Sequence, residues 1–261
     1  MSFLELNNIS MSFGANSVLN QLNMKINEGE FVSILGPSGS GKSTIFHLIG
    51  GILTPNAGDI YLKDTKITGR KGFISYMPQA ASLFPWRTVI ENATLSQELR
   101  GNKNKVKAKE MLQKAGLASF ENAFPHELSG GMKQRVSFIR ALLSSESLLC
   151  LDEPFGALDE FTRLEMQKWL LSIWEEHKRT ILFITHNIDE ALFLSDRIFI
   201  LSNRPASILT EVKVPFNRPR DKNLWLEPSF LEYKKEIYFL LQNSQGNSSA
   251  PPTIKEGKQI E

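Results

Sequence analysis

The chain has 261 residues, of which 30 are Lys or Arg and 28 are Asp or Glu, so its formal net charge is only +2. This balance provides no broad positive field and argues against nucleic acid as a partner. No apolar stretch reaches the length of about 20 residues that a membrane helix needs, and the amino terminus carries no secretory signal. Any path across a membrane would therefore be built by other chains.

Four short apolar runs end in residues that phosphate chemistry requires. Short apolar runs bounded by turn or helix signals are typical of buried parallel strands, and ligands of open α/β sheets lie outside the carboxyl ends of such strands. We therefore predict an α/β protein in which one nucleotide site collects all four endings. The runs are residues 31–35, 73–77, 148–151 and 181–184, and they lead into residues 36–43, Pro78-Gln79, Asp152-Glu153 and Thr185-His186.

The first ending matches the phosphate-binding pattern G-x-x-x-x-G-K-S/T. Its glycines allow backbone N–H groups to surround the β- and γ-phosphates, Lys42 supplies a positive charge, and the Ser43 hydroxyl is placed to ligate Mg²⁺. A helix predicted from Thr44 directs its positive end toward the anion. The predicted phosphate-binding residues are Gly36, Pro37, Ser38, Gly39, Ser40, Gly41, Lys42, Ser43 and Thr44.

Two carboxylates follow the third apolar run. A carboxylate at the tip of a buried strand is costly unless it faces a cation, so we predict that Asp152 holds Mg²⁺ through water. The next side chain points to the opposite face, which leaves Glu153 available to orient or deprotonate an attacking water. The alternative is an ordinary acidic pair that caps the next element.

Residues 128–134 predict a second anion site. Ser129 is a good helix N-cap, and the two glycines after it open a helix with apolar positions at helical spacing. One nucleotide bound by one chain does not require this additional helix terminus. A purely structural loop is the alternative. The apolar positions are Val136, Ile139, Leu142 and Leu143.

In their order along the chain, these motifs closely resemble those of the ATP-binding-cassette (ABC) family, over roughly residues 3–215. The resemblance implies an α/β fold: a P-loop NTPase (RecA-like) core with an N-terminal antiparallel β part and an inserted α-helical subdomain. Residues 36–44 resemble Walker A, Gln79 the Q-loop glutamine, residues 128–134 the signature, residues 148–153 Walker B, residues 157–159 the D-loop and His186 the switch histidine.

The resemblance also implies ATP and Mg²⁺ as ligands and a second copy of the chain as a partner. In this family two subunits face each other head to tail, and the signature of one covers the γ-phosphate on the other's Walker A. This arrangement would place Ser129, Gly130, Gly131 and Asp159 against nucleotide, the signature residues in trans.

Resemblance assigns His186 to the γ-phosphate and Gln79 to magnesium, water and the membrane partner. Phe13 stands where a tyrosine usually stacks on adenine, and its ring offers the same π-face. The predicted catalytic residues are Glu153, His186, Gln79 and Lys42, and the predicted metal ligands are Ser43, Gln79 and Asp152, the last through water.

The segment around Phe84, Pro85 and Trp86 bears on the membrane partner. Large aromatic residues on a stiff turn are good docking anchors, although they could equally pin a helical lobe to the core. With residues 155–159 and 185–191, this segment resembles the importer branch that serves nitrate, sulfonates and taurine. The resemblance implies two permease subunits, an extracytoplasmic solute-binding protein, and a peripheral position on the cytoplasmic face of the cell membrane.

We predict four regions along the chain. They are a first part of the nucleotide-binding core at 1–82, a helical subdomain at 83–145, a second part of the core at 146–215, and a C-terminal helix with a disordered tail at 216–261. Helical faces are predicted from Ala108, Met111, Leu112 and Ala115, from Met166, Trp169, Leu170, Ile173 and Trp174, and from Phe230, Tyr233, Ile237, Leu240 and Leu241.

The sequence thus predicts the ATP-hydrolysing subunit of an importer for a small solute. An exporter ATPase is the nearest alternative, because a separate ATPase chain could serve an export permease. A soluble P-loop phosphotransferase would use the same loop but would not need the signature. A cassette protein of DNA repair or translation would usually show a long coiled-coil insertion or a second cassette.

Overall fold

The computed structural model describes residues 2–221 and 223–243. The chain forms two compact units, the first made of Met1–Arg70 and Leu182–Glu261 and the second of Lys71–Ile181. The helical subdomain predicted at residues 83–145 falls within the second unit. Among the described residues, none of the helices is both long and apolar enough to cross a membrane.

In the described residues, strands predominate up to β6, a run of helices follows, and strands and helices alternate from β7 to β9. The strands are β1 (Leu4–Phe13), β2 (Asn16–Ile26), β3 (Phe31–Leu35), β4 (Ala57–Leu62), β5 (Thr65–Lys66), β6 (Ile74–Met77), β7 (Leu148–Asp152), β8 (Thr180–Ile184), β9 (Arg197–Leu201) and β10 (Ile208–Lys213). The α-helices are α1 (Lys42–Ile49), α2 (Val89–Ala93), α3 (Leu95–Leu99), α4 (Lys105–Lys114), α5 (Gly130–Leu142), α6 (Glu160–His177), α7 (Ile188–Leu194) and α8 (Pro228–Asn243).

An antiparallel sheet forms the amino-terminal part of the first unit, with strand order β2-β1-β4-β5. Leu4, Leu6 and Ile9 of β1 are fully buried, whereas intervening positions are partly exposed. This alternation is expected of a strand with one face on the core and one face toward solvent.

The first unit also contains the strand that leads into the phosphate-binding pattern. All five residues of β3 are buried, and β3 pairs in parallel with β9, which pairs antiparallel with β10. The Asp196 carboxylate accepts a hydrogen bond from the Phe31 amide at 2.9 Å and pairs with Arg218 at 2.9 Å. These contacts fix the start of β3, so the loop at its other end has a firm base.

The C-terminal helix α8 packs on α7 in the same unit. Phe230 and Ile237 are buried, as predicted for the apolar face of this helix, and Lys234 Nζ lies 2.7 Å from the Asp189 carboxylate. Of the tail predicted to be disordered, residues 244–261 lie outside the described residues.

The second unit combines the parallel pair β6 and β7 with helices α2 to α6. The four predicted apolar positions of α4 are buried, and Lys103, Lys105, Lys107 and Lys109 are exposed, as expected for a solvated face. On α6, Trp174 is buried in the core, as predicted, whereas Trp169 is half-buried and its ring contacts Phe138 edge-on at 5.8 Å.

Predicted and observed boundaries agree closely for the strands. β3 begins and ends as predicted, and β6, β7 and β8 each differ by one residue at one end. Helix α1 begins at Lys42, two residues before the predicted start at Thr44, because Gly41 takes the N-cap position with a left-handed backbone at φ 107°.

Gly58 in β4 provides a stability test of the antiparallel sheet. Its φ is +91°, and an added Cβ would lie 2.4 Å from the Asn7 carbonyl oxygen. Since backbone cannot move away as a flexible side chain can, we expect Gly58→Ala to lower the free energy of unfolding by about 3 kcal/mol or more. Urea denaturation followed by circular dichroism measures this change.

Gly14→Ala is the matched control. Gly14 also has a positive φ, +58°, but an added Cβ would meet no atom within 4 Å. The control should therefore cost only about 1 kcal/mol, the strain of the backbone conformation alone. Equal losses in the two variants would contradict the tight packing of β4 against β1.

Candidate functional site

The predicted phosphate-binding loop joins β3 to α1 in the first unit. The Lys42 side chain is only 7% exposed, and its ammonium donates hydrogen bonds to the carbonyl oxygens of Gly36 and Pro37, both at 2.9 Å. The lysine therefore folds back along its own loop. The positive charge of Lys42 therefore lies beside the loop, whose backbone N–H groups can bind an anion.

Two glycines shape the loop for different reasons. At Gly41, an added Cβ would lie 2.8 Å from Cγ1 of Val18 and 3.2 Å from Cδ2 of Leu19, so a larger residue would have to displace these two side chains of β2. At Gly39, φ is +77° and an added Cβ would meet no atom within 4 Å, which leaves the backbone open to a ligand. Between them, the Ser40 hydroxyl is buried without a hydrogen-bond partner. A buried hydroxyl of this kind fits a phosphate oxygen as its missing acceptor.

The predicted switch histidine lies at the end of a strand beside β3. His186 is exposed, and it follows Thr185, whose amide donates to the Ile34 carbonyl oxygen. The buried Thr185 hydroxyl donates to the Glu190 carboxylate at 2.5 Å and accepts from the Asn187 amide at 3.0 Å. His186 thus projects from a rigid turn at the same sheet edge as the phosphate-binding loop.

Phe13, the predicted adenine contact, ends β1 in the same unit. Its side chain is 47% exposed, and its backbone pairs with Asn16 across the β1–β2 hairpin. An exposed ring on a fixed hairpin can stack on an aromatic base without first moving aside.

Asp152 is the last residue of β7 in the second unit. It is only 3% exposed, as expected for a carboxylate reserved for a cation. The pKa of the neighbouring Tyr76 is raised, first by burial of its hydroxyl and second by the negative charge of Asp152. The charge of Asp152 is thus felt by its neighbour on β6, the Tyr76 hydroxyl, which lies 3.5 Å from the Asp152 carboxylate.

Glu153 adopts a left-handed backbone conformation with φ of 46°. Such a conformation costs about 1 kcal/mol or more in a residue with a side chain, and it often occurs at functional sites. It turns the side chain toward the loop after β6, where Gln79 Nε2 donates a hydrogen bond to Glu153 Oε2 at 3.1 Å. Two predicted catalytic residues, 74 positions apart, are thus in direct contact.

The loop that carries Gln79 is tied to α5. Gln134 Nε2 donates to the Gln79 carbonyl oxygen at 3.2 Å, and the Arg140 guanidinium donates to the carbonyl oxygens of Ala81 and Ser82 at 3.0 and 2.9 Å. Burial lowers the pKa of Arg140. The sequence places Gln134 at the end of the predicted signature but does not indicate its contact with Gln79, and it gives no indication of the contacts of Arg140, because these bonds join residues distant in sequence.

The predicted signature forms the amino-terminal end of α5. Ser129 is the N-cap and accepts a hydrogen bond from the Met132 amide at 3.3 Å, as the sequence predicted. Ser129 and Gly130 are exposed, and an added Cβ at Gly130 would meet no atom within 4 Å. This helix terminus therefore presents its N–H groups to the surroundings.

The signature packs against the predicted D-loop. An added Cβ at Gly131 would lie 3.3 Å from Cδ2 of Leu158 and 3.5 Å from the Ala157 carbonyl oxygen. The next residue, Asp159, is the N-cap of α6 and accepts from the Thr162 amide at 3.0 Å, which lowers the pKa of its carboxyl group. Its contact with nucleotide remains a prediction.

The aromatic segment after the Q-loop is held by a buried asparagine. Asn92 is fully buried, its Oδ1 accepts from the Phe84 amide at 2.8 Å, and its Nδ2 lies within 3.1 Å of the carbonyl oxygens of Phe84, Arg87 and Thr88. The turn that results presents the Trp86 side chain, which is 70% exposed. This clamp joins residues through a loop whose path the sequence does not determine, so it could not be predicted.

The predicted metal ligands carry the kind of donor atoms that magnesium prefers. In the described part of the chain, no group of three or more His, Cys, Asp or Glu residues could hold a metal ion by itself. The predicted ligands Ser43, Gln79 and Asp152 offer only oxygen atoms besides one amide nitrogen. Mg²⁺ prefers such oxygens and is usually bound by one or two carboxylates together with substrate phosphates.

The comparisons with known proteins agree with these features. The ABC transporter family model matches residues 19–156. A formylaminopyrimidine import ATP-binding protein of Halalkalibacterium halodurans is 42% identical over 244 residues, 91% of this chain and 96% of the relative. An aliphatic sulfonates import ATP-binding protein of Bacillus cereus is 42% identical over 240 residues, 90% of this chain and 94% of the relative.

A solved structure extends the similarity to the fold. A dimeric ATP-binding cassette in a post-hydrolysis state, bound to ADP and phosphate, superposes with a TM-score of 0.74 at 31% identity, over 82% of this chain and all of that one. The predicted P-loop NTPase fold, with its antiparallel β part and helical insertion, is therefore confirmed. The chain belongs to the ABC transporter family and is an ATPase of that family.

Proposed function

We propose that this chain is the ATP-hydrolysing subunit of an importer for a small solute, such as a sulfonate, nitrate, taurine or a related small organic molecule. Two copies would act head to tail on two permease subunits, at the cytoplasmic face of the cell membrane. The observation that carries this proposal is the match to relatives named as import ATP-binding proteins over at least 90% of both chains. An extracytoplasmic binding protein would deliver the solute to the permease and would therefore be an indirect partner of this chain.

The names of these relatives also decide between import and export. Both concern small organic solutes, an aliphatic sulfonate and a formylaminopyrimidine, and both specify import. Neither the relatives nor the residues of the site favour an exporter or a soluble phosphotransferase. Import of a small organic solute is therefore the function we retain.

ATP binding would use the phosphate-binding loop of the first unit. The loop N–H groups and the Lys42 ammonium would hold the β- and γ-phosphates, the Ser40 hydroxyl would donate to a phosphate oxygen, and Phe13 would stack on the adenine. Ser43, Gln79 and Asp152, the last through water, would hold Mg²⁺. When bound, Mg²⁺ neutralises charge on the β- and γ-phosphates.

Hydrolysis would require Glu153 as the group that orients and deprotonates water. In the structure its Oε2 accepts a hydrogen bond from Gln79 Nε2 at 3.1 Å, so the position from which a water would approach that oxygen is taken by the amide. The proposal therefore includes movement of Gln79 away from Glu153 when nucleotide is bound. His186, on its rigid turn, would contact the γ-phosphate.

The signature would act on nucleotide held by the other copy. Its helix terminus is exposed at Ser129 and Gly130, and α5 runs from there for 13 residues into the second unit. With Gly131 and Asp159, these residues would complete the site of the partner copy. The dimeric structural neighbour supports this arrangement.

The permease would dock at the turn formed by Phe84, Pro85 and Trp86. The rings of Phe84 and Trp86 lie 5.1 Å apart, and the Asn92 clamp fixes the backbone that carries them. Exposed aromatic rings on a rigid turn lose little conformational entropy on binding, which makes them effective anchors.

Glu153→Gln tests the catalytic assignment. The substitution keeps the shape of the side chain but removes its basicity, so we expect the ATPase rate to fall by at least about a hundredfold. ATP affinity, measured by equilibrium binding, should remain within about twofold of the parent because the phosphate-binding loop is unchanged. Glu165→Gln, an exposed carboxylate on α6, is the control and should hydrolyse normally. Parental activity in Glu153→Gln would refute the assignment.

Ser129→Arg tests the action of the signature in trans. A long charged side chain at the exposed amino end of α5 should block closure of two copies, and we expect the ATPase rate to fall by at least about a hundredfold. ATP binding to the monomer should persist. Ser172→Arg, on the exposed side of α6, is the control. If Ser129→Arg abolishes binding to the monomer, the signature acts within its own chain.

Trp86→Ala tests the permease contact. Loss of a buried interface tryptophan typically costs about 2 kcal/mol, so the affinity for the permease should fall roughly thirtyfold. The chain would be co-expressed with its two permease subunits, and the amount of permease that co-purifies would be measured against increasing amounts of each variant. Leu226→Ala, at a side chain 77% exposed elsewhere in the chain, is the control. Undiminished co-purification of Trp86→Ala would remove this segment from the interface.

A further inference from the structure

Phe161 is a large apolar side chain presented to the surroundings at the start of α6. It is 81% exposed, and no other large hydrophobic side chain in residues 2–221 and 223–243 is more so. Single exposed hydrophobic residues are common on protein surfaces, so exposure alone assigns no role. The place of Phe161 beside the predicted D-loop and signature is a more specific indication of its role than its exposure.

The exposure of Phe161 does not arise from a loose chain end. Asp159 caps the helix by accepting from the Thr162 amide at 3.0 Å, and the Arg163 guanidinium donates to the Leu158 carbonyl oxygen at 2.9 Å. The Arg163 amide also bonds to the Asp159 carbonyl oxygen at 2.8 Å. Phe161 therefore projects from a regular, fully formed first turn.

The surroundings of Phe161 continue the surface proposed to meet the second copy. Leu158, three residues before it, packs on Gly131 at the amino end of α5. The exposed residues Ser129 and Gly130 begin the same helix. In the sequence, Phe161 thus comes just after the predicted D-loop, which belongs to the part of the second unit that would cover the partner's nucleotide.

We propose that Phe161 packs against the second copy of this chain and is buried when the two copies close on ATP. The inference rests on the proposed function, because it requires the ATP-bound dimer. It adds an apolar contact to an interface otherwise described by polar groups around nucleotide. The energy of that contact would favour the closed dimer without touching the reacting atoms.

Other occupants fit this position less well. The proposed permease contact lies in a different segment, at residues 84–86. An acidic lipid surface is disfavoured because Asp159 and Glu160 immediately precede Phe161 and would be repelled by such a surface. The one basic residue of the same turn, Arg163, is paired with Glu160 at 3.7 Å. A second copy of the chain requires no such charge complementarity and is the partner already implied by the signature.

Dimerisation of the Glu153→Gln protein in ATP gives the first test. Because this variant should retain ATP, its dimer can be measured by sedimentation velocity. Adding Phe161→Ser should weaken dimerisation at least tenfold, which is about the loss expected for one buried aromatic contact. Phe161→Leu, which remains apolar, should recover most of the affinity. Leu99→Ser is the matched control, because Leu99 is 79% exposed at the end of α3.

A fluorescent label gives a second, independent test. The chain has one cysteine, Cys150, which is fully buried, and burial raises the pKa of its thiol. An environment-sensitive thiol reagent should therefore label an added cysteine selectively. In the Glu153→Gln background, a label on Phe161→Cys should shift its emission to the blue when ATP is added, and a label on Leu99→Cys should not.

The outcomes separate the two proposals. If the Glu153→Gln parent forms no dimer in ATP, the proposed function is wrong and the inference falls with it. If the parent dimerises but Phe161→Ser matches Leu99→Ser, or the label at 161 does not respond to ATP, the inference alone is wrong. A label that responds only to membranes containing the permease assigns the ring to the permease and overturns the proposal. Should Phe161→Ser fail to fold, the label decides.

Discussion

Complete burial of strands β3, β7 and β8 is the constraint on which the rest of the site depends. Every residue of these strands is buried, so charged side chains are excluded from them until the carboxyl ends, where Asp152 alone closes a strand. Charged residues of these segments therefore lie at the strand ends or in the adjoining loops. The phosphate-binding loop, the acidic pair and His186 are placed by the same physical rule, which is the cost of burying charge without a partner.

The contact between Gln79 and Glu153 connects this chemistry to the helices. Gln134 and Arg140 attach the backbone of the Gln79 loop to α5, and the amino end of α5 is the signature. In the proposed dimer, a displacement of α5 would move Gln79 relative to Glu153. A partner copy that engages Ser129 would then act on Glu153, the proposed base, through two hydrogen bonds and without a contact of its own to that residue. This route gives a physical meaning to the left-handed backbone at Glu153, which directs the carboxylate into the connection.

The sequence predicted the parts of the molecule that follow local rules. Buried strands are short apolar runs, Ser129 is a favoured N-cap, and the apolar face of α4 repeats at helical spacing, so each was visible without a structure. The Asn92 clamp and the Gln79–Glu153 hydrogen bond were not visible, because they join residues through loops whose path no local preference determines. The start of α1 was misplaced by two residues because a glycine N-cap carries no side-chain signal.

Three features of the second unit are exposed although each is rigidly built. Trp86 stands on a turn clamped by a fully buried amide, Ser129 caps a helix, and Phe161 follows an N-cap that is itself hydrogen-bonded. Holding such residues in one conformation costs conformational entropy, and an exposed residue gains little burial energy to offset that cost. A chain that maintains this order at apolar and helix-terminal positions is prepared for contacts outside itself. Because this conformational entropy is already lost before association, each contact contributes more of its energy to binding. The rigid, exposed residues are therefore suited to contacts with other protein chains.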